Sequence, residues 1–190
     1  MIDPERITAF DRTTEELEEL LLNAITFAGK NARQQAQKMH ILFACSEHPS
    51  PFSAIRAWKK NGRLVRKLKE VRIGKYSLLS RAFTALAHSS IDLRTCTIEE
   101  LVQFPGIGHK TARLFILHSR RDQEYAVIDT HLLKEMRLLK LTTLRSTPTH
   151  KKYVELERRL IAHLKKEGIT DFAQYDLVTW KKYSKNSQII

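Results

Sequence analysis

The residues with the most evident chemistry lie around two glycines, in a run that reads LVQFPGIGHKTAR over residues 101–113. Gly106 and Gly108 allow the backbone to turn tightly and to come close to a ligand. The helix expected after them presents its first amides, and the positive end of its dipole, to an anion. These features predict a helix-hairpin-helix over residues 98–118 that binds phosphate. A purely structural corner between two helices is the alternative interpretation of the same pattern.

A lysine and an aspartate follow the hairpin at positions suited to chemistry. Lys110 comes two residues after the second glycine, and Asp129 stands 19 residues further on, in the run VIDTH over residues 127–131. Taken singly, Lys110 is explained as a cation for phosphate, and Asp129 as the N-cap of a helix. It is less easily explained by chance that a lysine and an aspartate both follow one hairpin at these spacings. We therefore treat both as candidate site residues, and interpret His131 as a packing residue.

The elements that must position these residues are helices with short connections. Thr13 and Thr97 each stand three residues before a glutamate, the capping-box pattern, with apolar residues at helical spacing behind them. Six glycines and five prolines leave few breaks, and no stretch alternates for long enough to form a sheet. We therefore predict an all-α protein of about ten helices. Further helix starts are predicted at Ser50, Asp129 or Thr130, Thr149 and Thr170.

Composition narrows the class of protein. The 190 residues carry 33 Lys and Arg against 21 Asp and Glu, a formal net charge of +12, and 42% of them are hydrophobic. The hydrophobic share is enough for a core, and the charge indicates a polyanionic partner, most commonly nucleic acid. Two lone cysteines, Cys45 and Cys96, cannot form a disulfide framework, a zinc knuckle or a four-cysteine cluster. The lone cysteines favour a reduced, intracellular protein. The apolar runs are too short for a membrane helix, so we expect no membrane contact.

The hairpin and the VIDTH run together resemble the helix-hairpin-helix DNA glycosylases, which include endonuclease III and the 8-oxoguanine glycosylases with lyase activity. The family pattern is Leu-Pro-Gly-Val-Gly-x-Lys-Thr-Ala followed by Val-Asp-Thr-His, and this chain has FPGIGHKTA over residues 104–112 and IDTH over residues 128–131. A weaker likeness covers residues 22–43, and IGKY over residues 73–76 is similar to the Gly-x-Tyr turn of the family. The resemblance spans most of residues 13–183.

This resemblance implies one glycosylase unit over residues 1–190, built from two helical lobes with a cleft that holds the reactive residues. A central lobe is expected over residues 30–118, with the hairpin at residues 98–118. A second lobe is expected over residues 1–29 plus 119–185, and residues 186–190 are expected to form a frayed tail.

By position, the resemblance assigns Lys110 as the nucleophile and Asp129 as the essential carboxylate. The lysine attacks C1′ of the sugar and forms a Schiff base, which acts as an electron sink for β-elimination of the strand. The aspartate stabilises the positive charge that develops on the sugar as the base leaves. We expect no cofactor and no catalytic metal, although the hairpin carbonyls leave room for a monovalent cation.

The segment DLVTW over residues 176–180 is similar to a helix that borders the base pocket in the cluster-free, archaeal-type 8-oxoguanine glycosylases. Trp180 is then expected to stack on the extruded base and Asp176 to bond its edge. A core tryptophan and a capping or surface aspartate are the alternative. The C-terminal segment has no cysteine, so the iron–sulfur loop of endonuclease III is expected to be absent, and 8-oxoguanine is the predicted substrate base.

The residues expected to contact DNA lie at two turns and in the loop after the first helix. They are Gly106, Gly108, His109, Thr111 and Arg113 at the hairpin, Arg72, Lys75 and Tyr76 at the other turn, and Asn31, the candidate to fill the gap left by the extruded base. We expect a monomer that acts on duplex DNA containing a damaged base, in the cytoplasm or nucleoid. Two other functions stay open: an endonuclease III-like enzyme for oxidised pyrimidines, and a non-catalytic helix-hairpin-helix protein that binds DNA.

Overall fold

The predicted helices are present in a computed structural model of the protein, which describes residues 1–44 and 46–186. The described residues form ten α-helices and a short 3₁₀ helix at Pro4–Arg6, with no strand among them, so the all-α prediction is confirmed. Cys45 and residues 187–190 of the expected tail lie outside the described residues, and Asn186 ends the last helix. The helices are α1 (Thr14–Phe27), α2 (Ala32–Ala44), α3 (Pro51–Lys60), α4 (Leu64–Glu70), α5 (Tyr76–Ala87), α6 (Ile98–Leu101), α7 (His109–Ser119), α8 (Thr130–Leu138), α9 (His150–Lys166) and α10 (Phe172–Asn186).

Several helices begin where the sequence predicts them. Thr13 and Thr97 both make the full capping box, in which the threonine hydroxyl accepts from the glutamate amide and the glutamate carboxylate accepts from the threonine amide. Ser50 caps α3, with Pro51 as its first residue, and Asp129 caps α8. These starts are predictable because each cap is completed within three residues of chain.

Thr149 is the N-cap of α9, as predicted, although its side chain makes no capping hydrogen bond. One predicted helix start was wrong. Asp171, not Thr170, caps α10, because the helix begins at Phe172 and the Asp171 carboxylate accepts the Gln174 amide at 2.8 Å. Helix α6 ends at Leu101, and tighter i→i+3 backbone hydrogen bonds continue the chain to the hairpin.

The chain divides into two compact units, of which the first comprises residues 1–4 and 11–115. Helix α1 packs on α2, α3 and α5, and Leu20, Leu21 and Leu22 are all fully buried there. Glu18 of the same helix is buried too, and its carboxylate accepts the Phe52 amide at 2.8 Å, in the first turn of α3. A carboxylate placed at a helix N-terminus satisfies an amide that has no partner in its own helix.

The second unit comprises residues 5–10 and 116–190. Helix α8 packs on α10, and Leu133 and Met136 are fully buried. The lobes expected from the sequence put residues 1–29 with these C-terminal helices, whereas residues 11–29 belong to the first unit. The reason is the apolar face of α1, which packs on α2, α3 and α5. In the described chain, no helix combines the length and the apolar character that crossing a membrane requires.

Candidate functional site

The hairpin is a tight turn anchored by one apolar side chain. Gly106 has φ +80°, and the Ile107 amide donates to the Phe104 carbonyl at 3.2 Å. A Cβ at position 106 would stand 3.5 Å from the side chains of Ile25 and Leu78. Ile107 itself is buried. Gly106 is therefore needed by the backbone conformation, because a side chain at this φ is strained.

Gly108 differs from Gly106. Its φ lies outside the left-handed region, and a Cβ there would meet no atom of the protein within 4 Å, so packing does not explain a glycine at this position. Gly108 is exposed, and its carbonyl accepts the Ala112 amide at 3.0 Å, the first i→i+4 bond of α7. Open space beside an exposed backbone is what close approach of a phosphate requires.

Lys110 lies in the first turn of α7. Its side chain is half-buried, and its ammonium group makes no hydrogen bond or ion pair with any residue of the described chain. The neighbouring His109 is held by Arg113, whose guanidinium donates to His109 Nδ1 at 3.2 Å. An imidazole that accepts at Nδ1 carries its proton on Nε2.

Two residues expected to contact DNA through their side chains are buried instead. Thr111 and Arg113 are each 4% exposed. Arg113 lies one turn after His109 in α7 and donates to its Nδ1, which is a supporting contact. The Thr111 amide still belongs to the first turn of α7, where amides have no acceptor in their own helix.

Asp129 lies in the second unit, as the N-cap of α8. Its Oδ1 accepts the amides of His131 at 2.9 Å and Leu132 at 2.8 Å. Two amide bonds at a helix N-terminus favour the ionised carboxylate and restrict its rotation. The residue is half-buried. Asp129 is therefore a fixed negative charge, whichever role it has in addition to the cap.

The chain before Asp129 is held by two side chains that sequence reasoning missed. Residues 120–129 include no helix or strand, yet Ala126, Val127 and Ile128 are buried. The Tyr153 hydroxyl accepts the Ile128 amide at 2.8 Å and donates to the Ala126 carbonyl at 2.9 Å. Glu157 Oε1 accepts the Ala126 amide at 2.9 Å.

Tyr153 and Glu157 thus take the place of a neighbouring strand for this buried run. They stand four residues apart on one face of α9, and both are buried. A glutamate on the apolar face of an amphipathic helix is a signal that the sequence offers, because a buried charge needs partners.

Beyond Asp129, the α8 residue His131 packs as expected, with its ring stacked on Tyr183 of α10 at 6.3 Å between centroids. The Tyr183 hydroxyl donates to the Glu135 carboxylate, and Lys182 binds the same carboxylate at 2.9 Å. Burial raises the pKa of Glu135, but these hydrogen bonds outweigh burial and leave the pKa below its ordinary value. Burial, with the bond to Glu135, raises the pKa of Tyr183.

The two residues predicted for the base pocket share one face of α10, four positions apart. Asp176 Oδ2 lies 3.1 Å from Nε2 of His118, which is 1% exposed. With an ionised carboxylate, Nε2 carries the proton, and Nδ1 accepts the Thr8 hydroxyl at 2.8 Å. Trp180 is half-buried. The carboxylate thus has a structural partner, which the sequence did not reveal.

The turn at residues 71–75 and the loop at residues 28–31 both belong to the first unit. Arg72 and Lys75 have φ of +52° and +49°, and both are exposed. Lys75 occupies the N-cap position of α5 without a side-chain cap, and Tyr76 begins that helix half-buried. Asn31 is exposed, and its Oδ1 accepts the Gln34 amide at 3.1 Å, so its side chain serves as a cap for α2. Among the residues that the structure describes, no three His, Cys, Asp or Glu side chains gather as metal ligands would.

Comparisons with known proteins bear on the fold. No protein-family model matches the sequence, and no curated protein matches it. Among solved structures, the chain is similar to the 8-oxoguanine DNA glycosylase of Methanocaldococcus jannaschii, with a TM-score of 0.66 and 19% sequence identity. The match covers 94% of this chain and 83% of the other. The chain therefore has the all-helical fold of that glycosylase, as the sequence predicted.

Proposed function

We propose that the protein is a base excision repair DNA glycosylase with an associated AP lyase activity. The observation that carries the proposal is the state of Lys110. Its amine lies directly behind a hairpin suited to phosphate, half-buried and without a partner in the described chain. An amine that no residue of the described chain engages is able to approach C1′ of a bound nucleotide and act as a nucleophile. The fold shared with a DNA glycosylase supports the same activity.

The proposed reaction begins when the neutral Lys110 amine attacks C1′ of the damaged nucleotide. The bond from C1′ to the base breaks, and its electron pair leaves with the base, which takes up a proton. The Asp129 carboxylate stabilises the positive charge on the sugar during this step. The nitrogen then expels the ring oxygen O4′, which leaves with the electron pair of the C1′–O4′ bond and takes up a proton released by the nitrogen, and a C1′=N Schiff base with Lys110 forms.

The Schiff base then drives strand cleavage. A proton leaves C2′, and the electrons of that C–H bond pass into the imine to give an enamine. They return to form a C2′=C3′ double bond as the bond from C3′ to its oxygen breaks and its electron pair leaves with the phosphate. Water hydrolyses the imine and returns Lys110 as a free amine. Asp129 is a fixed charge through both stages, because two backbone amides hold one of its oxygens.

We propose 8-oxoguanine as the base that is removed. Asp176 and Trp180 support this choice, because a carboxylate and a half-buried indole on one helix face suit a flipped purine. The similar structure is named as an 8-oxoguanine DNA glycosylase. We further propose that a monomer acts on duplex DNA inside the cell, without a cofactor.

Borohydride trapping tests the proposal. Duplexes that contain 8-oxoguanine, thymine glycol or an abasic site are incubated with the protein and reduced, and the covalent complex is measured on a gel. We expect trapping with the 8-oxoguanine and abasic duplexes, loss of trapping in Lys110→Gln, and normal trapping in Lys151→Gln, a matched change at an exposed lysine of α9.

Each alternative has its own result in this assay. Excision of thymine glycol alone supports an oxidised-pyrimidine enzyme. Binding of every duplex without excision or trapping supports a non-catalytic DNA-binding protein. Normal trapping by Lys110→Gln means that another amine is the nucleophile.

A further inference from the structure

Two stretches of the chain that lack acidic residues meet on the surface of the first unit. Residues 28–46 and residues 71–91 contain no Asp or Glu, although the chain has 21 of them in 190 residues. Each stretch begins with a connection between helices, the loop at residues 28–31 and the turn at residues 71–75. The basic residues in the two stretches are Lys30, Arg33, Lys38, Arg72, Lys75 and Arg81.

Two lysines connect the two acid-free stretches, and they donate in opposite directions. Lys38 Nζ, from α2, donates to the Arg72 carbonyl at 2.9 Å. Lys75 Nζ, from the turn, donates to the Ala28 carbonyl at 2.6 Å. Lys30 joins them, since its Nζ lies 3.9 Å from the place that a Cβ on Gly74 would take.

These interactions bring four cationic side chains together, which we call the loop patch: Lys30, Lys38, Arg72 and Lys75. Lys30, Arg72 and Lys75 are exposed, and Lys38 is half-buried. The partners of Lys38 and Lys75 are neutral carbonyls, so neither charge is neutralised by its bond. An ammonium group has three N–H donors, so each of these lysines has two more to offer. Among the described residues, none of the four makes an ion pair with a carboxylate, and four like charges held together in this way are complementary to a polyanion.

We propose that the loop patch binds consecutive phosphates of a nucleic-acid backbone. Lys30 and Arg72 bind phosphate oxygens directly, while Lys38 and Lys75 hold the two connections together and direct their remaining donors outward. The interactions are with the backbone, so they are independent of base sequence and of damage. The inference rests on the proposed function only in taking duplex DNA as the polyanion.

The salt dependence of binding tests the loop patch. Anisotropy with an undamaged, labelled duplex gives the affinity across a range of salt concentrations. The slope of log K against log salt is negative, and removing one phosphate-binding cation reduces its magnitude by about 0.9. We expect Lys30→Gln and Arg72→Gln each to reduce the magnitude by about 0.9 and the double variant by about 1.8. Lys151→Gln, which removes the same charge outside the patch, is expected to keep the wild-type slope.

The hydrogen bond from Lys38 to the Arg72 carbonyl has a test of its own. Lys38→Arg keeps a charge and a donor for the Arg72 carbonyl and is expected to bind as the wild type does, whereas Lys38→Met is expected to weaken binding. Thermal unfolding of every variant shows whether the fold is retained. A wild-type slope in folded Lys30→Gln and Arg72→Gln would overturn the proposal.

Another polyanion gives a separate outcome. The variants are also tested for binding to vesicles of phosphatidylserine and phosphatidylcholine. If the loop patch residues are needed for vesicle binding while the salt slope on DNA is the same in the variants and the wild type, the proposal is overturned and the partner is a membrane surface. Because the duplex is undamaged, the loop patch and the enzyme activity fail independently. Absence of both excision and trapping, with a slope that depends on the patch, refutes only the enzyme activity. Excision and trapping, with a slope that does not depend on the patch, refute only the loop patch.

Discussion

Replacing Asp129 by asparagine separates the two roles that this residue can have. Asp129 Oδ1 accepts two amides of α8, at 2.9 and 2.8 Å. The carbonyl oxygen of an asparagine accepts the same two amides, and asparagine caps helices about as well as aspartate. Asp129→Asn therefore keeps the cap and removes the negative charge. Asp129→Ala removes both.

The two effects differ in size. Loss of a charge at a helix N-terminus costs about 0.3–1 kcal/mol of stability, which lowers the Tm of a chain of this length by at most about 4 °C. Loss of a preorganised group that stabilises the transition state costs about 2.7–4 kcal/mol of activation free energy, or roughly 10²–10³ in rate. Asp129→Ala should add about 0.5–2 kcal/mol of destabilisation from the missing cap.

Single-turnover excision from an 8-oxoguanine duplex, measured with thermal unfolding of the same samples, checks both numbers. We expect Asp129→Asn and Asp129→Ala to be slowed alike, by about 10²–10³, while only the alanine variant unfolds well below the wild type. An asparagine variant that keeps more than a tenth of the wild-type rate would show that the carboxylate serves the helix alone.

The remaining predictions concern the hairpin and the second unit. Gly106→Ala should lower stability by about 1–2 kcal/mol because of its positive φ, whereas Gly108→Ala should leave thermal unfolding unchanged or slightly raised and weaken DNA binding; equal DNA binding by Gly108→Ala and wild type would contradict the close approach of phosphate. Tyr153→Phe leaves a buried amide and carbonyl without their partner, so chemical denaturation should show a loss of about 1–3 kcal/mol, and a loss below this range would mean that water replaces the hydroxyl. The pKa of Glu135 is lowered, chiefly by its hydrogen bonds from Tyr183 and Lys182 acting against burial, so its stabilising effect is present above the unfolded pKa of about 4.3 and is lost as the pH falls through the folded value. Glu135→Gln should therefore show a smaller fall in Tm between about pH 5 and pH 3 than the wild type, and an equal fall would refute the assignment.

Local sequence patterns carried much of the fold. The capping boxes at Thr13 and Thr97 and the cap at Asp129 are each completed within three residues, so a single sequence is enough to locate them. The same holds for the hairpin, where Gly106 lies in the predicted tight turn and has φ +80°. Lys110 was identified by its spacing from this hairpin, and its role stays a prediction.

Side-chain direction was less accessible to sequence reasoning. Arg113 follows the hairpin at a position that suggests a phosphate ligand, yet it is buried against His109. Gly108 has a φ outside the left-handed region, so neither the backbone conformation nor packing requires a glycine there. Only the structure of the turn shows that Gly106 and Gly108 differ in this respect.

The sequence by itself determined that the chain is all-helical, where several of its helices begin, and that one basic hairpin is followed by Lys110 and Asp129. Only the tertiary structure decided which distant side chains support these residues. Tyr153 and Glu157 bond a buried run more than twenty residues away, His118 bonds the Asp176 carboxylate, and Lys38 reaches the Arg72 carbonyl. Helix caps depend on neighbours in the chain, whereas these long-range bonds depend on how helices pack, and helical periodicity specifies a buried face without specifying what that face meets.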